Sequence, residues 1–249
     1  MARVAIFSDI HGNLEAFEAV IHAFEAERVD QLVHLGDLVG YNANPRECLQ
    51  LVQERCITSV LGNHDLAILE PRYAEGFNVL AYQALCYSER QLTSSDRVYL
   101  QGLPRSDILL GHYLLCHGTP ENVESYILHV FQAKRVFNFL QKKHPGIRVC
   151  FYGHTHKQRA WIRDERGKVF SPNAAPRSLL LEDGQLYLVN PGSVGQPRQG
   201  DKRAHYLVFD SDSGIIYFRA VPYDIRKAQQ KILEAGLPEY LALRLEEGV

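Results

Sequence analysis

The sequence predicts an α/β fold in two halves, a βαβ half followed by an antiparallel β half. Up to about Tyr152, short apolar runs alternate with longer segments of helical periodicity. From Ala160, apolar runs follow one another across Glu-Arg-Gly, Asp-Gly and Ser-Gly turns, which are antiparallel hairpin signals. No internal repeat, low-complexity tract or linker interrupts the 249 residues, so 1–249 reads as a single domain.

The elements follow in order. "RVAIF" is a buried strand. "NLEAFEAVIHAFEAE" sets Leu14, Phe17, Val20, Ile21 and Phe24 on one helical face, with Asn13 as its N-cap. "QLVHL" is a strand, "PRECLQLVQER" a helix opened by Pro45, and "ITSVL" a third strand. Residues from about Tyr73 to Leu92 are helical in pattern, and "SSDRVYLQGL" is a second, capped helix. "DILL" and "YLLC" suggest a hairpin around Gly111 and His112. "QAKRVFNFLQKKH" is a helix stopped by Pro145, and "RVCFY" is a strand. "RAWIRDERGKVF", "RSLLLEDGQLYLVN" and "AHYLVFDSDSGIIYFRAV" carry the hairpin signals, and two helices broken at Gly236 and Pro238 end the chain.

Composition excludes several classes. Hydrophobic residues make up 46% and the formal net charge is −2, without the basic stripe of a dedicated nucleic-acid binder. No apolar stretch approaches membrane-spanning length, and "MARVAIF" is too short for a signal peptide. Cys48, Cys56, Cys86, Cys116 and Cys150 lie in apolar or helical context without C-x-x-C pairing, so they read as reduced core thiols. A cytoplasmic protein is the expectation.

Five apolar runs finish alike. "VAIFSDIHGN" ends in Asp9 and His11, "LVHLGDLVG" in Asp37, "TSVLGNHD" in Asn63 and His64, "YLLCHGT" in His117, and "CFYGHTHK" in His154 and His156. In open α/β sheets the carboxyl edge of the strands is where ligands bind, and neighbouring glycines let backbone approach a bound ion. Singly, each motif could be a turn or a core histidine; together they form a ligand set. Carboxylates, imidazoles and one amide oxygen, with no thiolate, suit Mn²⁺, Fe²⁺ or Zn²⁺ better than Mg²⁺. They are too many for one tetrahedral ion, which suggests two ions sharing a bridging carboxylate. Two such ions, less Asp9, Asp37 and a bridging hydroxide, leave a net charge of about +1, which attracts a phosphate oxygen. An aspartate in place of Asn63 would cancel it.

"SDIHGN", "GDLVG", "GNHD", "CHG" and "GHTH" resemble, in order, the five blocks of the calcineurin-like metallophosphoesterases. "NPGSVGQPR" (190–198) and "RAHYLVFD" resemble the small single-domain bacterial and archaeal branch of that family. The resemblance implies two β-sheets packed as a sandwich flanked by helices, and a dinuclear centre of Mn, Fe, Zn or Ni, with Mn foremost for activity. Carried over by residue, Asp9, His11 and His156 hold one metal, Asn63, His117 and His154 the other, and Asp37 bridges them. His64 lies over the substrate and donates to the leaving oxygen or the phosphoryl group. The protein-phosphatase branch has an acid and an arginine shortly after the bridging aspartate. Here "GDLVGYNANP" places Gly40 there, with no arginine before Arg46, which disfavours phosphoserine chemistry and symmetrical dinucleoside tetraphosphate cleavage.

Arg198 is a candidate substrate contact, because a guanidinium fork suits phosphate, with a plain salt bridge as the equally simple alternative. Tyr41, Asn42 and Asn44 read equally as pocket or turn residues. His22, His34, His144 and His205 receive no role, the last two in exposed-looking contexts, and His129, after His117, reads as packing first and as a substrate neighbour second. The expected activity is hydrolysis of small phosphodiesters or phosphomonoesters, with the bridging hydroxide as nucleophile. The alternatives are a dinucleoside polyphosphate hydrolase and a non-catalytic scaffold. No specific nucleic-acid or membrane partner is expected, and an oligomer is left open.

Overall fold

A computed structural model describes residues 2–172 and 176–249. Arg3–Phe7 (β1) leads through Leu14–Glu27 (α1) to Gln31–His34 (β2), then Pro45–Glu54 (α2), Thr58–Ser59 (β3) and Asn63–Leu69 (α3). A 3₁₀ turn, Pro71–Ala74, precedes Val79–Gln91 (α4) and Ser94–Gly102 (α5). Ser106–Leu109 (β4), Tyr113–Cys116 (β5), Val130–Lys143 (α6) and Val149–Tyr152 (β6) follow. The remainder is Gln158–Arg163 (β7), Val169–Phe170 (β8), Ser178–Leu180 (β9), Leu186–Pro191 (β10), Ala204–Asp210 (β11) and Ile215–Val221 (β12), closed by Ile225–Glu234 (α7) and Glu239–Glu247 (α8).

Two mixed six-stranded sheets result, ordered β3-β2-β1-β11-β12-β9 and β4-β5-β6-β10-β7-β8. Strand alternation assigns their faces. Val4, Ile6, Val33, Leu35, Leu207 and Phe209 of one sheet meet Leu115, Val149, Phe151, Tyr187 and Val189 of the other in a shared layer. The opposite faces carry Ala5 and Phe7 against α1, and Leu114, Cys150 and Leu188 against α6. A two-sheet sandwich flanked by helices is therefore the fold. Asn13 caps α1 by accepting from the Ala16 N–H, and Pro45 opens α2. Among the described residues no helix is long and apolar enough to cross a membrane.

Six local expectations are corrected. β9 and β10 are not a hairpin: β9 pairs with β12, and β10 with β6 and β7, so the Asp183-Gly184 turn passes between sheets. Only Thr58 and Ser59 of "ITSVL" pair, and Asn63 and His64 open a helix rather than end a strand. Cys56 is exposed rather than a core thiol, because it follows the end of α2 in a left-handed turn. His205 is buried, with Nε2 3.3 Å from Asp201, while His129 is exposed at the N-cap of α6 rather than packed.

Candidate metal centre and active site

The candidate ligands converge where β1, β2, β5 and β6 end. Asp9, His11, Asp37, His154 and His156 all have φ between 49° and 64°. Left-handed backbone is strained for such residues, so surrounding contacts must hold it. The buried segment 190–197 does this at Asp9: Ser193 Oγ donates to the Asp9 carbonyl at 2.9 Å, as does the Gly195 N–H, and Val194 N–H donates to Ser8. Asn190 fastens the same segment to the "GHTH" loop by donating to the Gly153 carbonyl and Thr155 Oγ1. "NPGSVGQPR" is thus a strap across the site.

Each of the four candidate metal-ligand histidines is oriented through one ring nitrogen. Nδ1 of His11, His117 and His156 donates to the carbonyls of Val39, Leu35 and Gln196 at 2.9, 2.8 and 2.6 Å. His154 uses Nε2, toward the Glu124 carbonyl at 3.1 Å. In neutral rings this leaves bare lone pairs on the other nitrogens, all turned inward. Nε2 of His11 and Nε2 of His156 lie 3.2 Å apart, acceptor against acceptor. Asp9 Oδ1 is 3.2 Å from the latter and has no hydrogen-bond partner in the neutral arrangement. Nε2 of His117 faces Asp37 Oδ2 at 3.2 Å and Asn63 Oδ1 at 3.1 Å. Crowded acceptors call for a cation, a proton or a metal ion, between them, and these N and O donors suit a divalent one. The inward atoms group as Asp9, His11 and His156, as Asp37, His117 and His154, and as His11, Asp37 and His64.

Ionisation reports the same crowding. Burial pushes the Asp9 and Asp37 carboxyls up, but the imidazoles more than reverse this, so both fall below the usual carboxylate range. Burial lowers His117, yet Asp37 and Asp9 overcome it and carry this ring up to about 10. Burial dominates at His64 and His154, pushing them down to about 4 and about 3, and also lowers His11 and His156.

Asp65 was not singled out in the sequence. One of its oxygens accepts from the Leu38 and Val39 N–H groups, and the other from those of Asp37 and Gly62, at 2.9 to 3.3 Å. It fixes the loop that presents Asp37, whose Oδ1 accepts from the His64 N–H at 2.9 Å. The legible signal was an acid at the third position of a short helix, the arm of a capping box that reaches back to the N-cap. Gly62 is required here, because a Cβ would lie 2.0 Å from Asp37 Oδ1.

A cleft of about 380 Å³, partly open to solvent, lies over the cluster. Asp37, Asn63, His64, His154, His156 and Arg198 line it, with Tyr41, Phe77 and Tyr126 as aromatic walls. Asp9, His11 and His117 are buried beneath. His64 packs on Phe77 and Tyr41 at 4.4 and 4.8 Å, and its Nδ1 is buried beside Gly40 without a partner. Tyr126, invisible as a site residue in the sequence, stacks on His154 at 3.9 Å. Asn42 is a turn residue, donating to the His11 carbonyl at 3.0 Å, and Asn44 precedes α2 without a side-chain cap bond.

The chain belongs to the calcineurin-like phosphoesterase superfamily, whose domain matches residues 2–214. It is 33% identical over 246 residues to the uncharacterized protein MJ0912 of Methanocaldococcus jannaschii, covering 97% of this chain and 96% of that protein. It is 25% identical over 217 residues to the phosphodiesterase YfcE of Escherichia coli K12, covering 85% and 89%. Among solved structures it resembles a metallophosphoesterase from Sphaerobacter thermophilus, with a TM-score of 0.84, 37% identity and coverage of 100% of this chain and 99% of that one. With the family comes the activity class: the protein is a phosphoesterase, a hydrolase.

Proposed function

We propose that the protein hydrolyses small phosphate esters, diesters foremost, with two divalent ions, manganese first among them. The observation that carries this reading is the pair of bare imidazole nitrogens 3.2 Å apart beside the unpartnered Asp9 oxygen. Asp9, His11 and His156 would hold one ion, Asn63, His117 and His154 the second, and Asp37 both. When bound, the pair supplies positive charge for phosphoryl oxygens and acidifies water enough to provide a nucleophile near neutral pH. The diester preference follows the E. coli relative's named activity.

The chain's own groups do the rest. Burial pushes His64 down to about 4, and its ring lies over the cleft, where an N–H of the neutral imidazole would donate to the leaving or phosphoryl oxygen. Arg198 is oriented by Gln196 Oε1, with no ion-pair partner among the described residues, and keeps its charge for a phosphate oxygen. Tyr126 and Phe77 limit water around the reacting group. The test is a panel of phosphate esters assayed on metal-stripped protein with Mn²⁺ restored. Turnover of a diester only after Mn²⁺ addition is expected; turnover equal in the stripped protein refutes the reading.

A further inference from the structure

We propose that Tyr41 contacts the substrate: its phenolic hydroxyl, held by Arg198, donates a hydrogen bond to the phosphate in the cleft, and the two side chains form one anion clamp. This rests on the phosphoesterase reading and adds a residue that turn chemistry alone does not explain. Tyr41 has φ 56°, directly after Gly40 at φ 98°. Gly40 is accounted for by space, since a Cβ there would come within 2.5 Å of His64 Nδ1. Tyr41 has no such account. Glycine would adopt the same left-handed backbone without strain, and asparagine with less, whereas a bulky ring is disfavoured there. Strain of this kind persists where the side chain has a use.

The ring's surroundings point to that use. It meets His11 edge-on at 4.6 Å and His64 at 4.8 Å, and the Arg198 guanidinium lies over it at 5.6 Å. Behind it, Ala228 and Ile232 of α7 and Leu241 and Leu245 of α8 complete an apolar cluster. The C-terminal helices thereby press the ring toward the cleft that it lines. The hydroxyl oxygen accepts from Arg198 Nη2 at 3.3 Å, while its hydrogen has no acceptor among the described residues. Arg198 is itself steered by Gln196 Oε1, at 2.7 Å from Nη2 and 3.2 Å from Nε. Its side-chain partners, Gln196, Tyr41 and Tyr126, are all neutral, so its charge is uncompensated. An oriented, uncompensated guanidinium beside a phenol with a free hydrogen is a donor set for a phosphate oxygen.

Tyr41→Phe keeps the ring, its contacts and the helix packing, and removes only the hydroxyl. The full-length, Mn²⁺-loaded protein is assayed with bis(p-nitrophenyl) phosphate, and inorganic phosphate binding is measured by calorimetry. The expected result is a fall in kcat/KM of about 10- to 150-fold, the range for a hydrogen bond to a charged group, with a comparable rise in the phosphate Kd. Metal content and melting temperature stay at wild-type values. In an Arg198→Ala background the same change costs little, because the hydroxyl is no longer held. Unchanged kcat/KM and Kd overturn the proposal, as do fully independent losses in the double variant or a loss of metal or melting temperature without weaker phosphate binding. A wild type inactive on every ester, whose phosphate binding still weakens in Tyr41→Phe, refutes the esterase reading and supports the clamp. An active wild type matched by Tyr41→Phe does the reverse.

Discussion

The centre has a floor and a wall, and they are built differently. Asp9, His11, His117 and His156 form the floor, with exposures of 0 to 2%, and the three rings are pinned by carbonyls at 2.6 to 2.9 Å. His154, His64, Tyr126 and Arg198 form the wall. His154 is anchored at 3.1 Å to a loop carbonyl of Glu124, and Arg198 only to neutral side chains. Rigid second contacts raise ligand basicity and fix ring direction, whereas groups that meet a substrate need access. On the proposed reading, ion retention would rest mainly on the floor and turnover mainly on the wall, with His154 contributing to the second ion and Asp37 common to both.

Asp37→Asn should break both parts at once. A neutral amide bridges two cations poorly, and several kcal/mol from each ion amounts to ~10⁴-fold or more in turnover. Elemental analysis showing two tightly held ions in that variant would remove Asp37 from the bridge. His64→Gln alters the wall alone. Both ions should remain while turnover of an ester with a poor leaving group drops by ~10²–10⁴-fold, and less with a good one. Equal losses on both esters would restrict His64 to electrostatic stabilisation.

A direct comparison of the two parts comes from His156→Gln and His154→Gln. Outer partners alone change metal affinity by ~10–100-fold, so loss of the better anchored His156 should release metal at least tenfold more readily than loss of His154. Equal release in dialysis against a chelator would erase the distinction. Arg198→Ala should lower kcat/KM by about 10- to 150-fold with metal content intact, and Arg198→Lys should fall between it and wild type. Wild-type kinetics in Arg198→Ala would exclude the residue from the site.

The smallest effect at neutral pH concerns His34, which is fully buried near Phe7. Burial pushes it from an ordinary 6.5 down to about 3. A depressed folded value means that protonation favours unfolding. Above about pH 6.5 the ring is neutral in both the folded and unfolded chain and adds no pH dependence; stability is lost by ~1.4 kcal/mol per pH unit as pH falls toward about 3. His34→Leu should flatten that slope in urea titrations between pH 6 and 4; an unchanged slope would contradict the assignment.

Sequence reading succeeded where the signal is local. Glycine beside Asp or His at the end of an apolar run marks the strand ends that carry His11, Asp37, His117 and His154, and the run's apolar pattern needs no knowledge of its neighbours. It failed where partners are remote. Asp183-Gly184 looks like a hairpin turn, but whether β9 and β10 share a sheet depends on β12 and β6. Asp65 works through the backbone of residues far back in the chain, and Tyr126 enters the site only by stacking on His154. Helix pattern placed α7 and α8, though not the apolar cluster that they make with Tyr41.

The left-handed backbone at five inward-facing residues sets a tension between durability and chemistry. Glycine at Asp9, His11, Asp37, His154 or His156 would relax the chain while deleting the group that faces inward. Mutational scans scored for abundance and for hydrolysis should therefore disagree most at these positions, where the variants that last longest in the cell are those that no longer work.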